Sequence, residues 1–260
     1  MKRFFLLLAV LMLLLSLAGC GEASAAVALP SPSTPPSPVP SPSPEPRISY
    51  SYPLIGVDVS AWQGDIDWNA VSEDNIDFAV IRLGYRGYNE GVLHTDICFE
   101  QNMKGAEAAG LLKGVYFFSQ ADSEDSAREE AEYVIEVLKA YELELPVVFD
   151  WEHITAERGG LRKDAITYDT SAEEASAYAK VFCSALEKAG YETAVYASLD
   201  APELSPDISL LGDLRLWAAD LDNIPLRYRD VWCWQYDAHG EVKGISGDVD
   251  LNILFAFENP

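Results

Sequence analysis

"PVVFDWEHI", residues 146–154, runs an apolar, β-forming stretch into two carboxylates separated by one tryptophan. Strand interiors avoid carboxylates, because an unpaired buried charge is costly. Side chains at i and i+2 of a strand share a face, so Asp150 and Glu152 are expected in one space while Trp151 points away. Their Cα atoms should lie about 6.5–7 Å apart. At an effective dielectric of about 20, two charges at about 6.5 Å repel by about 2.5 kcal/mol. That is nearly two pKa units, and burial pushes in the same direction. One carboxyl should therefore keep its proton near neutral pH beside an ionised neighbour, the pairing that glycoside hydrolysis uses. The alternative is an acid pair held by an arginine, for which Arg82 on a neighbouring strand is the candidate.

Working outward, short β-branched and aromatic runs recur: "LIGVDVSAW", "DFAVIRLGY", "LLKGVYFFS", "LPVVFDWE", "ETAVYASL", "LRLWAADL" and "VWCWQYD". Helix-length segments separate most of them: "DICFEQNMKGAEAAG", "SEDSAREEAEYVIEVLKAYELE" and "SAEEASAYAKVFCSALEKAG". The last begins after a Thr/Ser pair and ends in Ala-Gly, good start and stop signals. In the middle segment Ala127, Ala131, Val134, Leu138 and Tyr141 fall at helical spacing, and the acids between them read as a solvated face. Strands apolar on both faces and alternating with helices predict a parallel sheet in an α/β fold. Seven or eight strands in about 210 residues predict an irregular β/α (TIM-like) barrel as a single catalytic domain. After residue 213 the strands crowd together, so the final section should be the irregular part.

Chemistry in such barrels sits at the carboxyl ends of the strands. Polar residues gather there: Asp58, Asp150 with Glu152, Asp220, then Gln235 and Asp237. Single acids at strand ends are usually turn formers, but their recurrence on one rim points to a site. Trp62, Tyr85, Tyr116, Trp151, Tyr196, Trp217 and Trp234 lie in or near the same ends. Flat rings with polar edges suit pyranose faces, although most such rings, taken singly, are packing.

The chain begins with Lys2 and Arg3 before an unbroken apolar run from Phe4 to Leu15, the layout of a secretory signal over residues 1–19. Its end, "LAGC", resembles the bacterial lipobox, which implies lipidation of Cys20; an ordinary cut after "ASA" at 23–25 is the alternative. Residues 20–47 carry "LPSPSTPPSPVPSPSPEP", which should form an extended polyproline spacer reaching about 50 Å. The catalytic domain is then expected over residues 48–260. Cleavage before Cys20 would lower the basic count from 18 to 16 against 42 acids, and the formal charge from −24 to −26. Such a surface repels nucleic acid and anionic lipid, and both are excluded as ligands.

Cys98, Cys183 and Cys233 allow one disulfide among three pairings in an exported protein, with one thiol left over. His94, His153 and His239 are scattered without zinc spacing. No metal, no cofactor and no thiol nucleophile are expected.

In order, "GVDVSAWQGDIDW", "FAVIRLGY", "KGVYFFS", "PVVFDWE", "VYAS", "LWAADL", "CWQY" and "GDVDLNIL" resemble the family 25 glycoside hydrolases across residues 54–255. These are lysozymes (N-acetylmuramidases) that cut the β-1,4 bond after N-acetylmuramic acid in peptidoglycan. The resemblance implies that Glu152 is the general acid and that Asp150 orients the 2-acetamido group or stabilises charge at the anomeric carbon. It implies that Asp58 and Asp250 are two further acids of the site, with a Gly-Asp turn at Asp248 as the bland reading of the second. Tyr116 and Trp217 occupy positions typical of sugar contacts, and Tyr196, Arg82 and Gln235 join them as substrate-binding candidates. Attack by the acetamido group with retention and attack by water with inversion would use the same carboxyls.

Two rivals are weighed. A family 18 chitinase carries a further aspartate two residues before the acid pair, where this chain has Val148. A non-catalytic peptidoglycan-binding lipoprotein would not need Asp58, Asp150 and Glu152 intact. The expected partner is the glycan strand of peptidoglycan, met by a monomer that touches membrane only through its N-terminal lipid. The expected location is the outer face of a bacterial membrane.

Overall fold

The computed structural model describes residues 53–222 and 231–255. The expected signal segment, Cys20 and the proline-rich spacer lie outside the described residues. Nine strands are described: β1 Leu54–Val59, β2 Phe78–Arg86, β3 Leu93–Thr95, β4 Leu112–Ser119, β5 Val147–Trp151, β6 Thr193–Ser198, β7 Arg215–Ala219, β8 Val231–Gly240 and β9 Val249–Leu254. Four α-helices accompany them: α1 Trp68–Glu73, α2 Phe99–Ala108, α3 Glu124–Leu138 and α4 Ala172–Lys188.

Because β1 pairs with both β2 and β9, eight strands close into a ring, β1-β2-β4-β5-β6-β7-β8-β9, with β3 hanging on β2 as an antiparallel partner. Neighbours from β1 round to β8 are parallel. The expected all-parallel sheet fails at the end: β9 runs antiparallel to both β8 and β1. The reason is the short 241–248 connection, since a parallel crossover needs a dozen or more residues. The barrel is thus irregular where the strands crowd together. Strand β3 was not anticipated, because three residues show no period.

The strands read as apolar on both faces because they separate two cores. Inward positions such as Phe78, Val80, Val148, Ala194, Trp217 and Cys233 pack together inside the ring. Alternate positions such as Ala79, Ile81, Val147, Phe149 and Trp151 pack outward with the helices. The ring interior is tight at Gly56, where an added Cβ would stand 2.5 Å from the Phe78 ring.

Helix α4 starts at a Ser171 cap reciprocated by Glu174 and stops at Gly190 in a positive-φ conformation, as its sequence signals predicted. It lays Phe182 against Phe149, ring centres 5.0 Å apart. Helix α3 buries Ala127, Ala131, Val134 and Leu138 of the predicted stripe but ends at Leu138, so the fifth member, Tyr141, lies beyond it, half-buried against Phe99.

One acid of α3 departs from its expected solvated face. Glu130 is fully buried; it accepts from Arg86 Nε at 2.7 Å and from Ser119 Oγ at 2.6 Å. It lies one residue from Ala131 on the helix, so it falls at the edge of the buried stripe, where an outer-layer arginine can reach it. Burial pushes its carboxyl up to about 7, against the pull of Ser119 and Arg86. Arg86 also bonds exposed Glu129 and the Gly91 and Ser126 carbonyls. Glu130→Ala is therefore expected to cost about 3 kcal/mol of stability, since it strips a buried arginine of its buried partner. Urea unfolding at pH 8 checks this; a loss below 1 kcal/mol would mean that Glu129 alone neutralises Arg86.

Candidate active site

The inward residues at the carboxyl ends of the ring strands line a cleft of about 780 Å³. Continuing the inward alternation of β5 past Val148 places Asp150, then Glu152, at its mouth. Trp151 faces the opposite way: it is fully buried and donates Nε1 to Ala121 O at 2.9 Å. This contact and the two-residue period aim both acids into the cleft.

A second acid pair faces them. Asp58 and Asp250 stand directly opposite each other in the antiparallel β1–β9 register. Strands β5 and β9 are four steps apart round an eight-strand ring, so the four acids cross the barrel mouth in a line. Asp58 Oδ2 accepts from Gln235 Nε2 at 2.9 Å and from Asn252 Nδ2 at 2.8 Å. These amides are themselves held: Trp217 Nε1 donates to Asn252 Oδ1 at 2.8 Å, and Tyr196 OH donates to Gln235 Oε1 at 3.1 Å. Behind Glu152, buried Gln120 donates to the Glu152 and Ser119 carbonyls at 2.8 Å each, and Thr167 Oγ1 donates to its Oε1 at 2.8 Å.

All four acids hold their protons more tightly than ordinary carboxyls. Burial is the chief cause for Asp58, followed by the Asp250 charge. Burial likewise leads for Asp150, followed by the charges of Glu152 and Asp58, while Arg82 pulls it back. Glu152 is raised to about 7, by burial and then by Asp250. Asp250 is raised by its burial. Asp150 and Glu152 are close enough to share a proton, which therefore belongs to the pair. The pulls on that proton oppose one another: Arg82 favours the ionised form of Asp150 and Asp250 the protonated form of Glu152, while the hydrogen bond within the pair raises Asp150 and lowers Glu152. Asp150 Oδ1 is buried with no hydrogen-bond partner among the described residues.

Arg82 lines the cleft but does not clamp the Asp150–Glu152 pair. Its Nε and Nη2 both reach Asp96 Oδ2, at 2.7 Å each, and Asp96 is itself buried. That corrects the ion-pair alternative, because the arginine's partner comes from the segment after β3. Tyr116, Tyr196, Trp217 and Gln235 line the cleft with the four acids, as do Trp62 and Tyr85. Asp220, Asp237, Trp151 and Trp234 do not. Asp237 lies at a register shift within β8 and accepts from His239 N, and Asp248 pairs with His239 at the surface, leaving Asp250 to face Asp58. The three described cysteines are free thiols rather than a disulfide plus one. Burial pushes Cys183 up to about 12.

The site also uses residues, in and behind the cleft, beyond those the sequence points to. Asn252 was legible in principle, being the next inward position after Asp250 on β9. Ser198, Asp200 and Leu221 line the β6–β7 side, with Leu221 N bonded to Asp200 Oδ2 at 2.8 Å. Gln120 and Thr167 come together from distant segments and leave no local signature.

The family model described as "Glycosyl hydrolases family 25" matches residues 57–245. The autolytic lysozyme of Clostridium acetobutylicum is 28% identical over 201 residues, 76% of this chain and 54% of its own length. Lysozyme M1 of Streptomyces globisporus is 27% identical over 208 residues, 76% of this chain and 66% of its own. The chain thus spans less than two thirds of either relative. A structure of the modular autolysin LytC from Streptococcus pneumoniae, in complex with a synthetic peptidoglycan ligand, shares the fold with a TM-score of 0.65 and 23% identity, over 80% of this chain and 48% of that one. An eight-strand ring with its acids gathered at one mouth, and a family match that takes in β1 and the acid-bearing β5, lead to one conclusion: the chain belongs to glycosyl hydrolases family 25.

Proposed function

We propose that the protein is a lysozyme-type muramidase that hydrolyses the β-1,4 bond between N-acetylmuramic acid and N-acetylglucosamine in peptidoglycan. The observation that carries this reading is the Asp150–Glu152 pair, proton-sharing and raised in pKa, facing Asp58 and Asp250 across the cleft. The lysozyme names of two relatives support the substrate class. Glu152, kept protonated by burial and by Asp250, gives its proton to the glycosidic oxygen as the bond to the anomeric carbon breaks. Asp150, in the state where the pair's one proton sits on Glu152, orients the 2-acetamido group and offsets the positive charge at that carbon, with Arg82 favouring its charge. Water then adds there and leaves a new reducing end. Asp58 is held in place by Gln235 and Asn252, while Tyr116, Tyr196 and Trp217 supply rings for sugar faces.

The test is digestion of peptidoglycan by the full chain, with identification of the new reducing ends. N-acetylmuramic acid at those ends supports the reading. N-acetylglucosamine ends, or no release by a folded protein between pH 4 and 8, would overturn it.

The domain order joins this proposal: a signal over 1–19, a lipid on Cys20, a proline-rich tether to residue 47, and the catalytic domain over 48–260. Such an anchor would keep a monomeric enzyme on the outer face of its own membrane, acting on nearby wall. Cys20→Ser is expected to shift the protein from the membrane fraction to the medium, read by immunoblot of the two fractions. Retention in the membrane would defeat the lipid anchor.

A further inference from the structure

Trp62 is 85% exposed, yet it lines the cleft and its backbone is closely held. It sits in the 3₁₀ turn Ala61–Gln63, just after β1. Buried Ser60 caps that turn, accepting from Trp62 N while its own N–H bonds Gln63 Oε1 at 2.9 Å. Gly64 closes it at φ +62°, a conformation that L side chains rarely adopt. Asp96 reaches in from beyond β3: its Oδ2 accepts from Ala61 N at 3.0 Å and its Oδ1 from Cys98 N at 2.8 Å. One buried carboxylate therefore ties down the residues flanking both Trp62 and Ile97, and Ile97 is 91% exposed. Single exposed apolar side chains are ordinary. A large one on a turn whose backbone is braced in this way, at the mouth of a cleft, is a preorganised contact.

Its place in the ring says what it contacts. The four acids cross the mouth between β5 and the β1–β9 pair. On the β2 side the lining includes Arg82 and Tyr85, and on the β6–β7 side it includes Ser198, Ala219 and Leu221. Strands β2 and β7 are also four steps apart, so these two sides face each other across the mouth. Asp96 bonds both Ala61 N and Arg82 Nε, which sets Trp62 on the β2 side.

We propose that Trp62 is the stacking platform of a distal subsite for the apolar face of a further pyranose in the same glycan strand. This rests on the muramidase reading for its ligand but not on turnover. The turn that carries the indole is held before binding, so a long strand gains a contact without ordering a loop. A short fragment seated over the acids does not reach it.

The experiment uses the full chain carrying Glu152→Gln, so that glycan is bound and not cut. Soluble N-acetylglucosamine–N-acetylmuramic acid oligomers of one to four repeats are titrated by calorimetry, with and without Trp62→Ala. About a tenfold loss of affinity for the longest oligomers, none for the single disaccharide, and substantial rescue by Trp62→Tyr are expected. Equal affinity at every length, or an equal loss at every length, would overturn the subsite. A blue-shifted Trp62 emission in the unliganded chain, taken as the difference from Trp62→Phe, would also overturn it, because another part of the chain would then cover the ring. A wild-type chain that releases no reducing ends while the length-dependent effect persists would retain the subsite and remove the catalysis.

Discussion

Glu152→Gln is expected to lower the release of reducing ends from peptidoglycan by at least about 10³-fold while leaving the fold and wall binding intact. The amide preserves the shape of the side chain and can still donate a hydrogen bond, but it has no proton to transfer as the glycosidic bond breaks. The variant also relieves the repulsion with Asp150, so nothing in the site gives it a reason to unfold. The pH profile of the wild type should carry the same signature. Glu152 is raised to about 7 and acts in its protonated form beside an ionised Asp150, so kcat/KM should fall about tenfold per pH unit above 7 and fall again on the acid side as the pair takes up its second proton. Rates on soluble glycan from pH 5 to 9 read this directly. Activity of Glu152→Gln within tenfold of wild type would remove Glu152 from the acid role.

Asp150→Asn should separate activity from stability. Loss of the charge that orients the acetamido group is expected to cost about 10²–10³-fold in kcat. The same change should stabilise the folded chain by about 1 kcal/mol, because the native carboxyl is buried, beside Glu152 and Asp58, with one oxygen lacking a donor. The pH dependence has a definite sign. In the folded state Asp150 and Glu152 keep protons that unfolded carboxyls lose near pH 4. Their contribution to stability is thus fully present below about pH 4 and is lost as pH rises towards and through 7. Asp150→Asn should flatten that decline, so its gain over wild type should be larger at pH 7.5 than at pH 4.5 in urea unfolding. A variant both less stable and fully active would contradict the role given to Asp150.

The acid pair was legible because strand periodicity is rigid. Two residues apart means one face, and the apolar run before Asp150 marks the strand that presents it. The barrel was legible for a similar reason: strands apolar on both sides need packing partners on both sides, which a ring wrapped by helices provides. Helix α4 was readable to its ends, since Ser171 and Gly190 act through backbone groups within one turn. The same local logic misread α3, because a carboxylate on a helix surface looks solvated until a distant strand brings an arginine to it. Glu130 and Arg86 are 44 residues apart, and no pattern within either segment announces their pairing.

Local chemistry, then, dictates which side chains share a face, where helices begin and stop, and that Asp150 and Glu152 must repel one another. Closure of the ring decides the rest. It sets Asp250 against Asp58, brings Gln235 and Asn252 to the Asp58 carboxylate, and ties the Trp62 turn to Asp96 at the mouth of the cleft. Each of these depends on groups far apart in the chain meeting across a barrel of given strand number and register. Such meetings follow from three-dimensional closure, and periodicity along one strand carries no trace of them.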